Sequence, residues 1–217
     1  MPRRSWAPLI VGALSCAGSL TLAQHTQPAT APVADLSTPR TALRALNQAM
    51  REGDVETIKR LFLASNPSEV KMIEADAEMA AALAELRRAA IKQFGEEGAR
   101  TVTGDSGESA AKSVSRIDTA EIDVRGDVAT IVYPDQKDAA FALKKVRGEW
   151  RVPMSDLGKP LDAGTLEQRL SDLSVQRKVV LDITRQIRAG TFANAEQARE
   201  AWQTRILQAA TSQPAKH

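Results

Sequence analysis

"AEIDVRGDVATIVY" at 120–133 and "FALKKVRGEWRVP" at 141–153 decide the fold. In the first string Ala120, Ile122 and Val124 alternate with polar residues, and "VATIV" (128–132) is rich in β-branched side chains. A period of two marks half-buried strands. The pentad Val-Arg-Gly-acid-apolar occurs twice, as "VRGDV" (124–128) and "VRGEW" (146–150). Short glycine-containing links between such strands are hairpin turns, because glycine enters positive φ without steric cost. The reading is an antiparallel meander of about four strands that uses one turn solution twice. Arg125 and the neighbouring acids stay solvated, while Val128 and Trp150 return to the sheet.

Upstream the spacing becomes helical. "STPR" (37–40) opens a first helix, with Ser37 or Thr38 as cap and Pro39 at the first helical position. Leu43, Leu46 and Met50 share a face and Gly53 stops it. Asp54 caps a short second helix, "VETIKRLF" (55–62). "NPSE" (66–69) starts a third, capped by Asn66, with Glu69 reaching back. Its stripe is Met72, Met79, Leu83, Leu86, Ala90 and Phe94, and Gly95 is its expected end. Residues 95–116 lack sustained periodicity and read as a mobile connection with a short strand at 101–103. Downstream of the meander, Thr165 and Gln168 form a capping box. Leu166, Leu170, Leu173, Val180, Ile183 and Ile187 follow as a seam, interrupted by Arg177 and Thr184, up to Gly190. Asn194 caps a last helix carrying Ala198, Trp202 and Ile206.

The chain begins "MPRRSWAPLIVGALSCAGSLTLAQH". Arg3 and Arg4, the apolar stretch Trp6–Leu22 and the small residues before Gln24 fit a signal peptide over 1–23. A lipoprotein anchor at Cys16 is the less favoured alternative, since Ala13 stands where such signals carry Leu. Export would place the protein in the periplasm or outside the cell, with no membrane span after cleavage. Cys16 is the single cysteine, so the mature chain would hold no disulfide and no thiolate metal site. The formal charge of +2 comes from 29 basic and 27 acidic residues. Cleavage takes Arg3 and Arg4 and no acid, which leaves a neutral chain. A nucleic-acid partner needs a basic footprint, so none is expected. Hydrophobic residues make up 43% and aromatic ones only 4%, so aliphatic side chains must fill the core.

"ALRALNQAMREGDVETIKRLF" (42–62) and "FALKKVRGEWRVPMSDL" (141–157) together resemble the nuclear transport factor 2-like superfamily. The first is similar to that family's opening helix with "GD" leading into a second, short helix. The second is similar to its terminal hairpin, with a turn glycine, an acid and a core Trp. The resemblance covers about 37–157 and implies an α+β fold, a cone-like curved antiparallel sheet packed on N-terminal helices. Residues 158–210 fall outside it as a C-terminal helical hairpin extension. The expected layout is signal peptide 1–23, flexible linker 24–36, α+β domain 37–157, extension 158–210 and disordered tail 211–217.

The resemblance also implies that any chemistry sits inside the cone. The isomerase type of that superfamily uses an Asp base and an oxyanion hole of Tyr and protonated Asp. This sequence departs from that pattern. His25 and His217 lie in opposite tails and Tyr133 is the single tyrosine, so no histidine-based acid–base pair can be built in the domain. Asp76, between Met72 and Met79 on the third helix, is the carboxylate closest to an apolar face. With the Tyr133 hydroxyl and Trp150 it could line a pocket. The bland alternatives are a solvated edge for Asp76 and a core position for Trp150. "RRAAIK" (87–92) reads as a solvated face. No catalytic residue, metal ligand or cofactor is assigned. The expected function is an exported, non-catalytic binding or interaction module of the bacterial cell envelope, with a small apolar ligand as one partner. The alternatives are a lyase- or isomerase-type enzyme using Asp76 and Tyr133, and a structural protein that self-assembles through 165–210.

Overall fold

The computed structural model describes residues 34–104, 107–135, 140–157 and 163–211. The expected signal peptide, most of the linker and nearly all of the tail lie outside them. Among the described residues the protein is α+β: six helices and an open five-stranded mixed sheet.

Local capping chemistry sets the helices. Thr38 caps α1 (Pro39–Glu52) by accepting the Thr41 amide, and Asp54 caps α2 (Val55–Leu61) by accepting from Thr57. Asn66 accepts the Glu69 amide at the start of α3 (Pro67–Thr103), while the Glu69 carboxylate takes the Ser65 amide at 2.6 Å. Gly53 ends α1 in the left-handed region (φ 72°) and stands against α3. A Cβ there would lie 2.7 Å from Ala81 Cα and 2.9 Å from Ala84 Cβ. Gly53→Ala therefore combines backbone strain with overpacking, and we expect it to cost about 2 kcal/mol or more in denaturant unfolding. Parent-like stability would mean that α1 and α3 do not approach this closely.

The connection after Gly95 differs from expectation. Gly95 does leave helical geometry (φ 75°, ψ 179°), but the chain re-enters helix up to Thr103, so 101–103 is not a strand. Ala99 and Val102 are buried there. A further helix, α4 (Gly107–Thr119), follows where a mobile segment was expected. Arg40 holds its C-terminal end by donating to the carbonyls of Ile117, Asp118 and Ala120.

Strands β2 (Glu121–Arg125), β3 (Val128–Val132), β4 (Phe141–Val146) and β5 (Glu149–Pro153) form the antiparallel meander. β1 (Phe62–Leu63) adds a short parallel pairing to β5, giving the order β1-β5-β4-β3-β2. The two pentads make different turns. In the first, Gly126 and Asp127 are the central residues and only Gly126 has positive φ (61°), the signature of type II′. In the second, Arg147 (φ 54°) and Gly148 (φ 85°) are both central, the signature of type I′. The registers are offset by one residue, so the same string serves two turn types.

One sheet face carries Ala129, Ile131, Leu143, Trp150 and Val152, all buried with Leu43 of α1, Leu61 of α2 and Ile117 of α4. Leu36, placed by the sequence in the linker, joins this core at 3% exposure, and its carbonyl accepts the Trp150 amide at 2.9 Å. The opposite face carries Asp123, Arg125, Thr130, Lys144, Glu149 and Arg151. There Glu149 bridges Arg60 of α2 and Arg151.

A second core lies between α3, α5 (Ala163–Arg188) and α6 (Ala195–Thr211), with Leu86, Ala90, Val180, Ile183, Ile187 and Ala198 buried together. The two polar interruptions of the α5 seam have partners. Arg177 pairs with Glu78 of α3 at 3.0 Å, and the buried Thr184 hydroxyl donates to the Val180 carbonyl at 2.8 Å.

Candidate functional site

Tyr133 borders the sheet core that holds Trp150, whereas Asp76 is on α3, which contributes no residue to that core. Trp150 is 3% exposed in the sheet core, the bland alternative of the sequence reading, with the Lys145 ammonium 5.8 Å from its ring centre. Tyr133 follows β3. Its ring lies 5.6 Å from that of Phe141, with the Arg116 guanidinium 4.6 Å from its centre. Arg116 in turn pairs with Asp135 at 3.1 Å. Burial pushes the Tyr133 hydroxyl above its ordinary pKa, Arg116 pulls it down, and Asp135 raises it again. The Tyr133 cluster is therefore an aromatic–guanidinium packing unit at one end of the sheet. Among the described residues, none of α3 belongs to the core that Tyr133 borders.

Asp76 is half-buried on α3, and the nearby opposite charge is Arg169 of α5. Burial pushes its carboxyl above the ordinary 3.8, and Arg169 offsets part of the rise. A carboxyl with a raised folded pKa binds more protons folded than unfolded between the two pKa values. Stability then falls as pH rises from 3.8 through the folded value. Asp76→Asn is expected to melt higher than the parent near neutral pH, with the gap closing as pH drops below that window. A gap that widens in acid would show that the ionised form is the favoured one.

Three open concavities among the described residues lie between helices. One of about 450 Å³ is lined by Arg44, Asn47, Gln48, Arg51 and Glu52 of α1, Arg87 of α3 and Val114 of α4. Another of about 500 Å³ lies between the end of α3 and α6, where Val102, Trp202, Ile206 and Leu207 give it an apolar wall. The Trp202 indole N–H is buried there without an acceptor among the described residues. A third, of about 400 Å³, lies along α3 and α5, beside the Arg188–Glu85 pair. None of the three is lined by Asp76, Tyr133 or Trp150.

Sequence reasoning missed Arg87 in particular. It belongs to the "RRAAIK" run read as solvated, yet it is half-buried. Its neighbour Arg88 donates to the Glu52 carbonyl at 3.1 Å and so ties α3 to the end of α1. Among the described residues no group of three or more His, Cys, Asp or Glu could hold a metal, and no helix is long and apolar enough to cross a membrane.

Comparison with protein-family models, with curated proteins and with solved structures found no match.

Proposed function

We propose that the protein is an exported, non-catalytic binding or interaction module of the bacterial cell envelope, on a cone-like scaffold of the nuclear transport factor 2 type. One observation carries the reading. The sheet face that would line a reactive cone is occupied by Ala129, Ile131, Leu143, Trp150 and Val152 packed on Leu36, Leu43 and Leu61. The described openings lie instead among the helices. A lyase or isomerase would need Asp76 and Tyr133 on one wall, with a proton acceptor in reach of substrate. Their separate surroundings weigh against that. Self-assembly through the α5 seam is disfavoured for a similar reason, because Val180, Ile183 and Ile187 are already buried on α3. The apolar groove between α3 and α6 suits the small apolar ligand expected from the sequence better than the sheet interior does.

The test is recovery of the protein from its native host. It should be found in the envelope or secreted fraction with Gln24 as first residue, and native mass spectrometry should show no substrate conversion. A cytosolic protein retaining Met1 would overturn export. Turnover of any substrate that collapses in Asp76→Asn, with the fold intact, would overturn the non-catalytic part.

A further inference from the structure

We propose that the groove between α1, α3 and α4 is a binding site for an oxyanion, phosphate or carboxylate, held by Arg51 and Arg87. Its walls are braced by contacts that do not use these two side chains. Arg44 grips Asp118 of α4 through Nε and Nη2 at 2.9 and 2.7 Å, and Gln48 donates to Glu52 at 2.9 Å. Arg88 fastens α3 to the α1 C-terminus. Most described arginines have an acceptor of this kind, as Arg60, Arg116, Arg151, Arg177, Arg188 and Arg205 do. Arg51 and Arg87 line the same concavity with no acceptor among the described residues, and neither does the Asn47 amide beside them have a partner.

Arg51, exposed, and Arg87, half-buried on α3, place two cations on one cleft, and a bound anion would offset their like charge. The planar fork of arginine matches carboxylate and phosphate oxygens bidentately, and Asn47 could supply a further N–H. Glu52 is the one carboxylate in the lining, against Arg44, Arg51 and Arg87, so the lining is net positive. A volume of about 450 Å³ accommodates a small metabolite rather than a folded partner. The phosphate could belong to a soluble molecule or to a lipid headgroup; the recognition chemistry is shared. This inference names a ligand class for one helical concavity, and it rests on the binding-module reading above.

The experiment is calorimetric titration of the mature chain with inorganic phosphate and with succinate at low salt. Vesicles of phosphatidylglycerol, against phosphatidylcholine, form a second arm. Saturable binding to at least one anionic probe is expected, weakened about tenfold or more by Arg87→Gln and abolished by the Arg51→Gln/Arg87→Gln pair. It should be unaffected by Arg147→Gln in the β4–β5 turn. Amide spectra of each variant must match the parent, so that loss of fold is not read as loss of site. Response to free phosphate or succinate alone assigns a soluble ligand, and response to phosphatidylglycerol vesicles assigns a headgroup. No saturable binding to any anionic probe, or binding that survives in the double variant, overturns the site. Other ligands seated elsewhere among the helices would leave the binding-module reading standing without it.

Discussion

A chain ended after Leu157 is expected to lose cooperative folding, or to melt about 15 °C or more below the parent. Removing α5 and α6 takes away Val180, Ile183 and Ile187 and uncovers the α3 face of Leu86, Ala90 and Val102, with Met79, Ile91 and Phe94 beside them. Each large aliphatic side chain returned to water costs about 1.5–3 kcal/mol. A few such losses approach the whole stability of a typical domain, about 5–15 kcal/mol. The severed interface also leaves Glu78 and Glu85 without Arg177 and Arg188, but those exposed pairs contribute little. Ile187→Ala in the full chain gives a graded version, with an expected loss of about 2–5 kcal/mol. Thermal melts and sedimentation read both. A shortened chain that melts like the parent and stays monomeric would show that the last two helices are an independent appendage.

The second large effect is Trp150→Ala, with an expected cost of about 3–5 kcal/mol. Trp150 is 3% exposed and packs within the sheet core, while its amide hydrogen-bonds Leu36. Arg125→Ala on the opposite face should stay within about 0.5 kcal/mol. Its contact is an exposed pair with Asp123 on the same strand. Equal shifts in the two variants would mean that the assignment of sheet faces is wrong.

The meander was legible because its signals are local. Alternating residues at 120–124 and glycine beside Arg and an acid specify strands and turns within a few positions. Even so, "VRGDV" and "VRGEW" look alike but fold into different turns. Which residue leaves the strand last is set by pairing across the hairpin, which a pentad does not encode. Helix α4 escaped notice because "GESAAKSVSRIDT" offers little apolar spacing beyond Val114 and Ile117, and Val114 is 40% exposed. Its position is fixed by Ile117 in the core and by Arg40, from α1. β1 consists of two residues paired with Val152 and Pro153, far along the chain. The position of Asp76 on an apolar stripe could be read, whereas its neighbour Arg169 could not. The groove of Arg51, Arg87 and Val114 draws on three helices, and only tertiary packing brings them together.

The proposed binding role places ligands on the helical surface and not inside the sheet. Amide NMR of the isotope-labelled protein, titrated with a fragment library containing anionic and apolar members, tests it most directly. The predicted result is shift changes confined to helical residues, at Asn47, Arg51 and Arg87 for anions and at Val102, Trp202 and Ile206 for apolar fragments. Saturable changes centred on Ile131, Leu143, Trp150 and Val152, with the helical amides unmoved, would contradict it.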